Sequence, residues 1–304
     1  MTRAATNRPS VRARALNGVL RLIEKRRLAR IEHPEELRQS FERSARLMFH
    51  GPRGSRYVPD RLENVPALKV RGPGADDREL LLYFHGGGYV MGSPATHRAM
   101  LARISALTGR VAVMPDYRKA PEHPFPAAID DALAAYGALI AAGPSRRIVL
   151  GGDSAGGGIA LALLGQICRL GLPQPAATFA FSPLTDMTFS GDSFRDNAVV
   201  EAMLPTSRAK DLEVMYLNGA DPRDPRASPL FADFAGVGPV WMCVGDTEIL
   251  RDDTLRMAAV LRRQGVEVNE VIARDLPHVW PIFQRIIPEA EATLTQVSGW
   301  IRSL

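Results

Sequence analysis

Residues 147–157 read RIVLGGDSAGG, a short apolar run that ends in a turn of very small residues around Ser154. The run is typical of a strand, and the apolar residues after the turn predict a helix from about residue 156. A serine in such a turn stands above the carboxyl edge of a sheet, because small neighbours let the chain bend sharply there. The pattern therefore predicts a reactive Ser154, and the alternative is a glycine-rich turn with a solvated serine.

Short apolar runs and helical patterns alternate on both sides of this turn. The runs that predict strands are Ala67–Val70, Leu80–Phe84, Val111–Met114, Ile148–Leu150, Ala177–Phe181, Val240–Val244 and Val266–Ile272. Helical patterns fall at about residues 95–108, 127–142, 156–170, 252–264 and 287–302. Most runs are continuously apolar, as in strands covered on both faces. The alternation predicts an α/β fold with a mostly parallel sheet between layers of helices.

A run of three glycines follows one of these strands. The sequence His85-Gly86-Gly87-Gly88-Tyr89 comes directly after Leu80–Phe84. Backbone N–H groups in such a run can approach a substrate oxygen without obstruction by Cβ atoms, as an oxyanion hole requires. A plain glycine-rich loop is the alternative interpretation.

A nucleophilic serine needs a histidine as base. The chain has six histidines: His33, His50, His85, His97, His123 and His278. Only His278 follows the last predicted strand, and the loop there returns to the carboxyl edge of a parallel sheet. His278 is therefore the candidate base, and a packed structural histidine is the alternative.

Four motifs in order resemble those of the hormone-sensitive-lipase-like branch of the α/β-hydrolases, the bacterial family IV esterases. They are HGGGYVMG at 85–92, DYRKAPEHPFP at 116–126, GDSAGG at 152–157 and LPH at 276–278. The resemblance covers roughly residues 66–304. It implies ester hydrolysis through an acyl-enzyme on Ser154, without metal or cofactor. It also implies that the N–H groups of Gly87, Gly88 and Ala155 hold the oxyanion.

The same resemblance implies a helical cap over the site. We expect residues 1–55 to form an N-terminal cap segment and residues 56–304 to form the catalytic domain, in which residues 183–238 contain a cap insertion. Leu16, Val19, Leu20 and Ile23 lie at helical spacing, and a second helix is predicted from about Glu35. Two amphipathic helices packed on the body are the simpler interpretation, and a basic helix on anionic lipid is the alternative. Residues 51–60 are predicted to be a loop.

The acid that orients the base has two candidates. The family places its acid four residues before an Asp, in an element that resembles Asp-Pro-Leu-x-Asp. Alignment of Leu250-Arg251-Asp252 on that element puts Glu248 in the acid position. Its carboxylate can fix the His278 tautomer and stabilise the imidazolium. Asp246, nearer the strand end, is the alternative acid.

The residues after the base depart from the family. The family usually has Gly-Phe there, whereas this chain has Val279-Trp280. This bulkier pair is expected to reshape the substrate pocket. We predict Tyr89 and Trp280 as substrate-binding residues; the wider set of candidate lining residues adds Met91, Met203 and Met215.

Composition excludes several other classes of protein. The chain has 304 residues with a net charge of +5, but residues 1–30 alone carry +8 and the remainder −3. The folded body thus lacks the cationic face of a nucleic-acid-binding protein. No apolar run reaches the roughly 18 residues of a membrane span. The N-terminus has no signal-peptide core, and only two cysteines occur, so we expect a cytoplasmic protein.

The sequence therefore predicts a carboxylesterase that acts on short- to medium-chain acyl esters. A lipase and an amide or lactone hydrolase would use the same residues. A ligand receptor on this scaffold, such as the plant gibberellin receptor, lacks the catalytic histidine, and His278 argues against that class. Family members often pair through an edge strand, so a homodimer through Val266–Ile272 is possible. No metal site is expected.

Overall fold

The computed structural model describes residues 2–4, 8–31, 33–143 and 147–304. Its strands form one nine-stranded sheet in the order β1-β9-β8-β7-β6-β4-β5-β3-β2. The strands are β1 (Thr2–Ala4), β2 (Arg56–Leu62), β3 (Val65–Arg71), β4 (Asp76–Phe84), β5 (Arg110–Pro115), β6 (Ile148–Asp153), β7 (Ala177–Phe181), β8 (Val240–Gly245) and β9 (Val268–Ala273). Only the β2–β3 and β3–β5 pairs are antiparallel. The predicted α/β fold with a mostly parallel sheet is confirmed.

Helices cover both faces of this sheet. They are α1 (Val11–Val19), α2 (Lys25–Arg30), α3 (Pro34–Met48), α4 (Pro94–Thr108), α5 (Ala127–Ala142), α6 (Ala155–Leu170), α7 (Asp192–Asp196), α8 (Ala209–Leu217), α9 (Arg251–Arg263) and α10 (Pro288–Arg302). A π-helical turn, Leu20–Glu24, joins α1 to α2.

The sheet separates two hydrophobic cores. Along β4, Leu80, Leu82 and Phe84 point into one core. Leu81 and Tyr83 point into the other. This alternation follows from the two-residue period of a strand, and burial of both faces explains the continuously apolar sequence of the central strands.

Two expectations at the edges of the sheet were wrong. Residues 56–60 of the predicted loop lie in β2, which pairs with β3 from Arg56↔Arg71 to Leu62↔Val65. This strand is mostly exposed, so its sequence lacks the apolar run that marks a buried strand. The second error concerns Val266–Ile272: β9 is not an edge strand, because β1 pairs with it at Thr2↔Glu270. The edge expected to pair two subunits is therefore occupied by the same chain.

The chain segments expected to form a cap contact each other. Arg208 of the insertion donates to the carbonyl of Ile31, at the end of α2. Arg21 donates to the carbonyl of Val200 in the insertion. Helix α8 lies within this insertion. None of the helices among the described residues is both long and apolar enough to cross a bilayer.

Candidate active site

Ser154 occupies the turn between β6 and α6. Its backbone has φ 52° and ψ −125°, a conformation that non-glycine residues adopt at a cost of about 1–3 kcal/mol. The turn requires glycine two positions to either side of Ser154: a Cβ on Gly152 would strike the carbonyl of Gly156, and a Cβ on Gly156 would strike the carbonyl of Phe84. The N–H of Ser154 donates to the carbonyl of Phe181 at 2.9 Å, so the neighbouring strand β7 supports the turn.

His278 reaches this serine from the loop after β9. The hydroxyl of Ser154 donates to Nε2 of His278 over 2.9 Å, and Nδ1–H donates to Oε2 of Glu248 over 2.7 Å. The carboxylate fixes the tautomer, because Nδ1 must carry the proton and Nε2 is left as the acceptor. The imidazole is 2% exposed and Glu248 is 1% exposed. Three side chains separated by up to 124 positions thus form one hydrogen-bonded chain.

The surroundings of the buried His278 imidazole shift its pKa. Burial alone would lower the pKa of His278, but the hydrogen bond and the charge of Glu248 outweigh burial and raise it above its usual value. The negative charges of Glu201 and Asp153 act in the same direction. The site therefore favours the imidazolium that forms when His278 accepts a proton.

The two candidate acids take different positions. Oε1 of Glu248 accepts from the N–H of Gly245 at 2.6 Å and from the hydroxyl of Ser182 at 2.8 Å, and Oε2 faces His278. The carboxylate of Asp246 instead accepts from the N–H of Asp275 at 2.7 Å. Glu248 is therefore the carboxylate that the fold brings to the imidazole, and Asp246 supports the loop that leads to it.

The glycines after β4 lie next to the serine turn. Strands β4 and β6 are neighbours, with Phe84 opposite Gly152. The loops that follow them touch, since a Cβ on Gly86 would strike Asp153. In the part of the chain that the structure describes, the N–H groups of Gly87, Gly88 and Ala155 meet no acceptor. Three unpaired donors near Ser154 are the arrangement that an oxyanion hole requires.

The two predicted substrate-binding side chains lie in the protein core. Trp280 is 0% exposed, and its indole N–H donates to the hydroxyl of Thr293 at 2.9 Å. Tyr89 is buried and stacks on Tyr216, with ring centroids 3.7 Å apart. Both side chains thus pack inward in this structure, as an aromatic side chain beside a catalytic loop can do as readily as face a ligand, and their role in substrate binding stays a prediction.

The other candidate lining residues are partly buried. Met91, Met203 and Met215 have intermediate exposure. Met203 and Met215 pack against the two cores. A leucine that the sequence did not indicate, Leu212 of α8, lies beside the glycine loop after β4, where a Cβ on Gly88 would meet its methyl group at 3.4 Å. Leu212 and Tyr216, both of α8, therefore bring the insertion against the glycine loop.

Two polar residues that support the site were not predicted from the sequence. Ser182 donates to Glu248 and accepts from the N–H of Val279 at 3.2 Å, so it joins the acid to the loop of the base. It directly follows β7, and this strand-end position was an available signal. Glu201 lies within the insertion, and its buried contact with the turn after Glu248 depends on the tertiary structure alone.

The remaining buried histidines have other contacts. His85 stacks on Tyr117, and its Nδ1–H donates to the carbonyl of Gly86. Burial lowers the pKa of His85 well below its usual value, so the ring stays neutral. His97 lies 3.2 Å from Asp153, which also accepts from Tyr83. Among the described residues, no group of three or more His, Cys, Asp or Glu side chains could hold a metal ion.

Comparisons with known proteins agree with the fold described above. A family model described as the alpha/beta hydrolase fold matches residues 81–282. An acetyl-hydrolase from Streptomyces hygroscopicus is 36% identical over 232 residues, which are 76% of this chain and 78% of the relative.

Two solved structures are also similar. One is an esterase from the bacterial hormone-sensitive lipase family, 36% identical, with a TM-score of 0.91 over 98% of this chain and 99% of the other. The second is EstE5 soaked with p-nitrophenyl butyrate, 35% identical, with a TM-score of 0.89 over 97% of this chain and 98% of the other.

Proposed function

The chain belongs to the hormone-sensitive-lipase family (family IV) of esterases with the α/β-hydrolase fold, and we propose that its carboxylesterase activity proceeds through an acyl-enzyme on Ser154. The observation that carries this proposal is the chain of two hydrogen bonds from Ser154 through His278 to Glu248. Each bond has the direction that general-base catalysis needs.

The reaction begins when Nε2 of His278 takes the hydroxyl proton of Ser154. Oγ then attacks the ester carbonyl carbon, and the carbonyl oxygen becomes an oxyanion held by the N–H groups of Gly87, Gly88 and Ala155. The imidazolium, stabilised by Glu248, returns its proton to the departing alkoxide, and the alcohol leaves. Water repeats these steps on the acyl-enzyme, so that the carboxylic acid leaves and Ser154 regains its proton.

The substrate class is an ester with a short to medium acyl chain. The acetyl-hydrolase relative and the p-nitrophenyl butyrate soak of a similar structure both involve short acyl groups. We propose that residues 1–55 and the insertion in residues 183–238 form a cap over the site. The contact of Leu212 with Gly88 supports this cap, because it brings the insertion against the oxyanion loop.

The cellular location is proposed from the cysteines. Cys168 and Cys243 are both free thiols. Unpaired cysteines are usual in a reducing compartment, so we propose that the enzyme works in the cytoplasm.

The test of the mechanism replaces Ser154 with Ala. We expect hydrolysis of p-nitrophenyl acetate and butyrate to fall by at least about 10³-fold, since the variant loses the hydroxyl that His278 would deprotonate. The matched control is Ser207→Ala at an exposed serine of the insertion. Labelling with a fluorophosphonate probe should be lost in Ser154→Ala and kept in the control. A folded, fully active Ser154→Ala would contradict the mechanism, and a wild type without labelling would favour a ligand receptor.

A second candidate is a lipase that acts at a lipid–water interface. Leu22 and Ile23 are 61% and 62% exposed, and Val199 in the adjacent insertion is 85% exposed. Together with the nearby cations Arg26 and Arg30, they offer an apolar and basic surface of the kind that binds anionic lipid. A rate that rises abruptly above the solubility limit of a long-chain ester would favour the lipase. A hyperbolic dependence through that limit would favour the esterase.

A further inference from the structure

Glu201 is a buried carboxylate that has no place in the proposed triad. The residue is 1% exposed and lies in the insertion between α7 and α8. Its Oε1 accepts from the N–H of Met203 at 2.8 Å, and its Oε2 accepts from the N–H of Ile249 at 3.0 Å. Among the described residues, no Lys or Arg forms an ion pair with it. Burial of a carboxylate that accepts only from backbone N–H groups costs free energy. We therefore expect Glu201 to have a role in the site.

The reason lies in the peptide bond that Glu201 holds. The N–H of Ile249 and the carbonyl of Glu248 belong to the same peptide unit. Glu201 accepts from that N–H, and Asn197 donates from Nδ2 to that carbonyl at 2.8 Å. Asn197 also donates to the carbonyl of Asp246 at 3.1 Å. The two side chains therefore restrain the main chain on the C-terminal side of Glu248, which sets where its carboxylate points.

Segment 197–201 is itself held by the N-terminal helices. The side chain of Lys25 donates to the carbonyls of Ala198 and Glu201, at 2.8 and 2.9 Å. Arg21 donates to the carbonyl of Val200 at 2.7 Å. These bonds connect helix α2 and the π-helical turn to the peptide after Glu248. The N-terminal segment thus acts on the acid through Glu201 and Asn197.

The charge of Glu201 also acts on the imidazole. The ionisable groups around it are Glu248, His278 and Lys25. Burial and then the charge of Glu248 raise the pKa of Glu201, whereas the charge of His278 and the two backbone donors lower it. Both oxygens accept N–H groups, an arrangement that suits the ionised form. Around His278, the charges of Glu201, Glu248 and Asp153 all favour the imidazolium.

We propose that Glu201 is a positioning residue for this esterase: it holds the Glu248–Ile249 peptide in place and supplies a second buried negative charge that stabilises the His278 imidazolium. This inference rests on the triad of the proposed function. Glu201 touches no reacting atom, so it acts through Glu248 and His278.

The test is Glu201→Gln, which keeps the size of the side chain but removes the charge and one of the two acceptor oxygens. We expect kcat to fall about tenfold with KM nearly unchanged, because the lost interaction acts in the transition state. We also expect the acidic limb of the kcat/KM profile to move down by roughly one pH unit, because loss of a nearby anion lowers the pKa of His278. Glu201→Asp keeps the charge and should retain the wild-type position of that limb. The control is Glu267→Gln at an exposed glutamate.

A second variant separates position from charge. Asn197→Ala releases the carbonyl of Glu248 and leaves every buried charge in place. It should lower kcat and leave the acidic limb unmoved. Unchanged kcat and an unmoved limb in a folded Glu201→Gln would overturn the proposal. If Glu201→Gln does not fold, unchanged kcat in Asn197→Ala would overturn it. Neither result touches the proposed acyl-enzyme on Ser154, which is tested separately by Ser154→Ala and by fluorophosphonate labelling.

Discussion

At the scale of single residues, Glu248 and Asp246 divide two tasks that their sequence positions do not distinguish. Both follow β8, and they are two positions apart. Glu248 binds the imidazole of His278, and Asp246 binds the main chain at Asp275. The longer glutamate side chain can fold back to the N–H of Gly245 and still reach the base.

Because Glu248 and Asp246 have different partners, isosteric substitutions at the two positions should lower kcat by different factors. Glu248→Gln should lower kcat about 10³–10⁴-fold, because the neutral amide no longer fixes the tautomer or stabilises the imidazolium. Asp246→Asn should lower it no more than a few-fold, since an amide oxygen still accepts from Asp275. Steady-state hydrolysis of p-nitrophenyl butyrate measures both. A larger loss in Asp246→Asn would make Asp246 the acid.

At the scale of elements, α3 supports the loop that carries Gly87 and Gly88. Arg38 of this helix donates to the carbonyl of Val90 at 2.8 Å and to the carbonyl of Ala120 at 2.9 Å. It also forms an ion pair with Glu122, and this hydrogen-bonded guanidinium lowers the pKa of that carboxyl to about 2. One side chain therefore ties α3 to the two loops that follow β4 and β5.

Loss of the Arg38 side chain should lower the catalytic rate, although Arg38 is not one of the triad residues. Arg38→Ala leaves two carbonyls without a donor, at a cost of about 1–3 kcal/mol, and frees the segment next to Gly87 and Gly88. We expect kcat/KM to fall about tenfold for p-nitrophenyl acetate. Arg43→Ala on the same helix is the control, because Arg43 is exposed and its side chain donates to the carbonyl of Gln39 within the same helix. Equal activities for the two variants would show that α3 does not position the loop.

At the scale of the whole molecule, a buried carboxyl group joins the insertion to the body. Asp253 of α9 accepts from the N–H groups of Thr185 and Asp186, at 2.7 and 2.9 Å, where the insertion begins. Burial raises the pKa of Asp253 to about 7 from 3.8, although the N–H of Thr185 acts in the opposite direction. The folded state therefore holds this proton more tightly than the unfolded state.

Because the folded state binds this proton more tightly, the folded protein should be less stable at higher pH. The contribution of the raised pKa is full below pH about 4 and is lost as pH rises through about 7. As the pH rises from about 4 to about 7, the free energy of unfolding of the wild type should fall on the order of a few kcal/mol further than that of Asp253→Asn. Urea denaturation of both proteins at pH 4.5, 5.5 and 7.5 measures it. Parallel stabilities across the range would contradict the raised pKa.

The sequence alone determined the features of the fold that depend on neighbouring residues in the chain. The strand, the small residues and the helix pattern around Ser154 predict the turn, because its backbone conformation requires those residue types in that order. The central strands and their alternation with helices were likewise predictable, since burial on both faces demands continuous apolar runs. The position of His278 after the last strand placed it at the correct edge of the sheet.

What only the tertiary structure decided is which side chains meet across long stretches of chain. The packing of Trp280 against Thr293, the bond from Glu201 to Ile249 and the pairing of β1 with β9 each join distant positions. Local sequence leaves such contacts open, because an aromatic or acidic residue has the same local signature in a core as in a site. The final arrangement depends on whether buried polar groups find partners, and those partners come from the folded chain as a whole.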